Sequence, residues 1–112
     1  MKMSVVETAE FVRRARALVS DAERMVLIDA LASNPGLGVS LGGGLYKMRF
    51  ARPGAGKRDG YRIIYYYAAR PDEPLFLLTI FAKNDKANLT DAEQAAVADY
   101  AATLAKGYRR RQ

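Results

Sequence analysis

The sequence predicts one α+β domain: an N-terminal helical hairpin packed on a small, mostly antiparallel β-sheet, followed by a C-terminal helix. Three observations carry that prediction. Two capping-box patterns, Ser20 with Glu23 and Thr90 with Glu93, mark helix starts toward opposite ends of the chain. Between them lie three runs of strand character, residues 45–50, 61–68 and 75–83, separated by Gly- and Pro-rich turns. The chain has 112 residues and is 50% hydrophobic, which suits one modest core and leaves little room for a second.

The elements can be justified in order. Residues 3–7 are short and β-branched, compatible with a first strand. Thr8 can cap a helix whose apolar stripe is Phe11, Ala15, Leu18 and Val19, with Arg13, Arg14 and Arg16 on its wetter side. Ser20 opens a second helix with Met25, Ile28 and Leu31 at helical spacing, and Asn34, Pro35 and Gly36 stop it. Residues 35–44 are glycine-rich and read as a loop. They do not form a dinucleotide fingerprint, because Lys47 stands where the third glycine is required.

Residues 45–50 alternate, with Tyr46, Met48 and Phe50 pointing one way and Lys47 and Arg49 the other. The loop ARPGAGKRDG follows. It is not a Walker phosphate loop, since Arg58 replaces the Ser or Thr required after Gly56 and Lys57, and Ala51 replaces the first glycine. Residues 61–68 are strongly β-prone, and residues 70–74 form a turn. Residues 75–83 are apolar on both faces, as in a central or helix-covered strand. Thr90 opens the last helix, with Val97, Tyr100, Leu104 and Tyr108 as its stripe and a frayed basic tail over 109–112. The predicted order is β-α-α-β-β-β-α.

Composition narrows the function. The chain contains no cysteine and no histidine, so disulfides, thiolate nucleophiles and every Ser–His or Cys–His arrangement are excluded. Proton chemistry would have to run on Lys, Arg, Asp, Glu or Tyr, and no metal or other cofactor is expected. No stretch approaches the ~18 apolar residues of a membrane span. Lys2 is followed by Glu7, Glu10 and Arg13 rather than by an apolar signal core, so a cytoplasmic location is expected.

Net charge is +6, and its distribution is uneven. Residues 45–86 hold nine basic residues against four acidic ones: Lys47, Arg49, Arg52, Lys57, Arg58, Arg62, Arg70, Lys83 and Lys86. A polyanion, most naturally nucleic acid, is the expected partner of such a segment. Lys47 and Arg49 lie two apart on one strand and share a face. If the three strands are neighbours, Arg62 and Lys83 join them on one concave surface beside the GKRDG loop. Cations crowded in this way repel each other, and a bound phosphate backbone would offset the repulsion.

The ordered segments LYKMRFARPGAGKRDGYRIIYYY and LLTIFAKNDKANLTDAE resemble the RelE/ParE superfamily of bacterial toxins. They are most similar to the HigB-like RelE branch, where a basic loop of GxGKRGG type and a Y-x-KN strand end recur. The resemblance runs from about Glu7 to about Tyr100. It implies the toxin of a type II toxin–antitoxin system: a ribosome-dependent endoribonuclease that cuts mRNA in the ribosomal A site and blocks translation. By position, Lys47 and Arg49 match the family's paired basic residues, Arg62 matches its strand arginine, and Lys83 with Asn84 matches the pair ending the next strand. These five are the implied catalytic set. Lys57, Arg58, Arg52 and Lys86 are the implied contacts to RNA.

The implied partners are a cognate antitoxin, the ribosome with its ribosomal RNA, and mRNA, with operator DNA reached only through the antitoxin. Two other classes remain open at this point: a ParE-like inhibitor of DNA gyrase, and a non-catalytic nucleic-acid-binding module. The chain departs from the best-known branch where a tyrosine follows the last strand, since Leu89 and Thr90 stand there. Tyr65 or Tyr67 could substitute as proton carrier, although packing within the sheet is the expectation for both. Asp59 and Asp85 could orient a lysine, although each reads first as a turn acid.

Overall fold

A computed structural model describes residues 2–51, 60–70, 72–83 and 88–110. Eight elements follow one another: β1 (Val5–Glu7), α1 (Ala9–Leu18), α2 (Asp21–Ser33), β2 (Val39–Gly42), β3 (Leu45–Phe50), β4 (Tyr61–Tyr66), β5 (Leu75–Ala82) and α3 (Asp91–Arg110). The strands form one sheet in the order β1-β5-β4-β3-β2. Only β1 runs parallel to its neighbour, and the other three pairings are antiparallel.

Local chemistry sets the helix boundaries. The Thr8 hydroxyl accepts from the Phe11 N–H and donates to the Leu77 carbonyl at 2.7 Å, so one side chain caps α1 and fastens it to β5. Ser20 and Glu23 make both bonds of a capping box at the start of α2, and Thr90 and Glu93 do the same for α3.

The sheet separates two apolar clusters. Phe11, Ala15, Leu27, Leu31, Ile63, Tyr65, Leu75, Leu77 and Ile80 join the helical hairpin to one face. Leu45, Ile64, Phe76, Leu78, Phe81 and Ala101 form the second cluster, where α3 packs on the opposite face. Fully burying a large apolar side chain of this kind contributes roughly 1.5–3 kcal/mol. β5 is buried on both sides, as its apolar run, broken only by Thr79, requires. Its ladder with β4 contains a bulge: Ile64 faces Thr79 and Tyr65 faces Leu77, leaving Leu78 as the extra residue.

Three expectations are corrected. Residues 35–44 are not all loop: Val39–Gly42 form edge strand β2, which turns into β3 through Gly42, Gly43 and Gly44. All three glycines have positive φ (92°, 61° and 87°), a conformation that side chains resist, so the glycine run is a hairpin turn. On α2 the buried residues are Leu27, Leu31 and Ala32, whereas Met25 is 59% exposed. On α3, Val97, Leu104 and Tyr108 of the expected stripe pack against the second cluster, whereas Tyr100 is 38% exposed and the fully buried residues are Ala101 and Ala105.

Candidate nucleic-acid interface

Strand alternation puts Tyr46, Met48 and Phe50 against the helical hairpin and turns Lys47 and Arg49 to the other face. Register then brings Arg49 directly opposite Arg62, with Phe81 on the far side of Arg62. Lys47 stands opposite Ile64. Lys83 follows the end of β5, where its backbone N–H donates to the Gly60 carbonyl at 3.2 Å. The strands are neighbours, and Lys47, Arg49, Arg62 and Lys83 line one groove of about 750 Å³. That volume is in the range of small-ligand sites.

The groove has a buried cation at its base and mobile-length cations around it. Arg62 is 5% exposed, while Arg49 and Lys83 are exposed and Lys47 is half-buried. Lys47 Nζ donates to the Asn88 side-chain oxygen, so a neutral amide holds it. Among the described residues, none of the four cations forms an ion pair. Elsewhere several charges are matched: Glu10 takes Arg13 and Arg14, Glu7 takes Arg24, Glu73 takes Arg109, and Asp29 takes Lys2. Like charges directly across a ladder are destabilising, and a guanidinium withdrawn from water without a counter-charge is costly. Among the described residues, the groove is where four cations stand together without a carboxylate partner.

Glu10 and Tyr65 have shifted titrations, both outside the groove. Hydrogen bonds from Arg14 and then Arg13 hold the Glu10 carboxyl below its usual value. Burial raises the Tyr65 phenol above its usual value, against the opposing bond from the Gly38 N–H. Tyr65 is on the helical-hairpin face, stacked on Tyr46 with centroids 5.2 Å apart and planes 9° apart. Its hydroxyl donates to the Pro35 carbonyl at 2.7 Å and accepts from Gly38 N–H at 2.9 Å. Tyr67 packs against the same cluster. Neither tyrosine reaches the groove, which corrects the suggestion that one of them could carry the proton there; packing is the role of both. Leu89 packs in the second cluster and Thr90 caps α3.

Asn84, Arg52, Lys57, Arg58 and Lys86, with Asp59 and Asp85, lie outside the described residues. No group of three or more acidic side chains that could hold a metal occurs among the described residues, and no described helix is long and apolar enough to cross a membrane. The sequence reading missed Asn88 and the apolar wall of the groove, Leu37, Val39 and Leu41. The alternation of Val39 and Leu41 ahead of the glycine turn was the available signal for that wall.

A helical hairpin and a C-terminal helix on opposite faces of a five-stranded mixed sheet make this an α+β protein of the RelE-like kind. A family model described as the RelE toxin of the RelE/RelB toxin–antitoxin system matches residues 3–111. The chain belongs to the RelE toxin family. That membership makes it the toxin of a toxin–antitoxin pair, with an antitoxin of the RelB type as partner.

Proposed function

We propose that this toxin is a ribosome-dependent endoribonuclease of the HigB-like RelE branch, acting in the cytoplasm on mRNA in the ribosomal A site. The observation that supports it most is the cross-strand pair Arg49 and Arg62, which no described carboxylate neutralises. In the proposed reaction an mRNA 2′-hydroxyl attacks the adjacent phosphorus and loses its proton to a base. The 5′-oxygen leaves and takes a proton, giving a 2′,3′-cyclic phosphate and a 5′-hydroxyl end. Charge accumulates on the phosphoryl oxygens between those two events, and fixed cations stabilise it where it develops.

Arg62 and Arg49 would hold those oxygens, while Lys47 and Lys83 would be the groove's proton-carrying groups. Asn84, next to Lys83 in sequence, would assist, and Arg52, Lys57, Arg58 and Lys86 would contact RNA of the ribosome. The antitoxin would cover the cationic face and supply the operator-reading element of the complex.

The test is mapping of mRNA ends in a cell-free translation reaction, with and without ribosomes, for wild type and Arg62→Ala. New 5′ ends inside the reading frame are expected only with ribosomes and only for wild type. Intact mRNA would overturn the nuclease, and DNA supercoiling by gyrase would then be assayed.

A further inference from the structure

One wall of the cationic groove is aliphatic. Leu37 is 47% exposed and Val39 is 67% exposed, among the most solvent-open large apolar side chains of the protein. Both line the same groove as the four cations, with half-buried Leu41 beside them. Val39 pairs with Lys47 across the β2–β3 ladder, so the two side chains leave the sheet on the same face. Isolated exposed apolar residues are ordinary, but here two adjoin four cations that no described carboxylate pairs.

The wall is also tied to the sheet. The Tyr65 hydroxyl, from the opposite face of the sheet, clasps the Pro35 carbonyl and the Gly38 N–H at the two ends of the turn that carries Leu37. At Gly38 a Cβ would lie 2.8 Å from the Lys47 carbonyl oxygen and 2.9 Å from the Tyr65 hydroxyl, so the chain here lies directly against β3. A preordered apolar surface loses little entropy when a ligand covers it.

A ligand matched to both halves of this groove carries anionic groups beside a flat, weakly polar ring. We propose that Leu37 and Val39 seat a nucleobase of the RNA strand whose phosphates the four cations hold, and that Tyr65 is the positioning residue for this seat. The inference rests on the nucleic-acid reading of the groove given above. Apolar side chains contact base faces and methyl groups in nucleic-acid complexes, and stacked bases contribute much of single-strand affinity. A protein segment would cover the aliphatic wall but would need carboxylates placed to meet the cations.

The experiment uses the whole chain and a short 2′-O-methyl RNA, which offers no 2′-hydroxyl to attack, alongside the same strand with abasic sugars. Dissociation constants are measured by fluorescence anisotropy at low salt. Wild type is expected to prefer the intact strand by about tenfold. Leu37→Ser combined with Val39→Ser should abolish that preference while leaving abasic-strand affinity unchanged. Tyr65→Phe keeps the ring but removes the clasp, and should reduce the preference about threefold, again with abasic-strand affinity unchanged. A purely structural role for Tyr65 would lower both affinities together. Equal binding of both strands by wild type overturns the base seat while leaving the cationic groove as a phosphate site, and makes an apolar protein segment the wall's occupant. Binding of neither strand overturns the seat together with the nucleic-acid reading beneath it.

Discussion

Arg49 and Arg62 face each other across the β3–β4 ladder, and the buried member of the pair, Arg62, meets no described carboxylate. With Arg49 directly across the ladder, Arg62 gains little from folding, so function and stability should separate on substitution. Arg62→Met keeps most of the side-chain volume and removes the charge. Its melting temperature is expected to equal or exceed that of wild type, while mRNA cleavage falls by about 10²-fold or more. Arg62→Ala should lose the same activity but melt lower than Arg62→Met, because it leaves a void. A sharp loss of stability in Arg62→Met would make Arg62 a structural residue.

Charge that awaits phosphate should appear in the salt dependence of RNA binding. Each phosphate contact on a single strand contributes about 0.7 to the slope of log K against log salt. Lys83→Ala and Lys47→Ala are each expected to flatten the slope by about that amount. Arg14→Ala provides the contrast, since Arg14 is already paired with Glu10 on α1 and lies outside the groove. Its slope should match wild type.

Glu73 anchors the far end of α3. Its side chain is 2% exposed, Arg109 Nε donates to Oε1 at 3.2 Å, and Arg70 Nε stands 3.9 Å from Oε2. Both arginines are about half exposed, so solvent weakens the clasp. Glu73→Gln should cost about 1 kcal/mol. Hydrogen exchange is the discriminating measurement: amides in the last turns of α3 should exchange faster, and those of β4 should not.

Gly38 is the tightest approach in the wall of the groove. Adding a methyl group forces either the Lys47 carbonyl or the Tyr65 hydroxyl to move. Gly38→Ala is expected to destabilise the protein by about 1–3 kcal/mol, read as a lower melting temperature. Gly36→Ala makes a useful control, since its added Cβ would meet only the Asn34 side chain, at 3.7 Å.

What the sequence disclosed depends on how local each feature is. Thr8, Ser20 and Thr90 act within one helical turn, and all three caps were legible. The four cations were legible because alternation assigns their faces and register then brings them together. The face of α2 was not, since Met25, Val26, Leu27 and Ile28 are consecutive apolar residues that helical periodicity alone cannot rank. β2 was hidden by its own turn: three glycines dominated a segment whose strand content is Val39 and Leu41. Asn88 reaches Lys47, and Tyr65 reaches Gly38 and Pro35, across long stretches of chain, so neither contact has a local signature.

Tyr65 links that long-range clasp to pH. Burial raises its phenol above the ordinary value of 10.0. The unfolded chain therefore gives up this proton at a lower pH than the folded protein does. Below pH 10 both states hold the proton, and the clasp contributes fully. As pH rises from about 10 through the folded value, ionisation favours the unfolded chain and that contribution is lost. Tyr65→Phe should cost about 1–2 kcal/mol at pH 7, since the Gly38 N–H and the Pro35 carbonyl lose their shared partner. Above pH 10 the variant should lose stability less steeply than wild type. Urea unfolding of both proteins between pH 7 and 11 measures this, and the gap between them is expected to narrow at the alkaline end. A widening gap would mean that Tyr65 ionises more readily in the folded protein, which is incompatible with its burial against Tyr46.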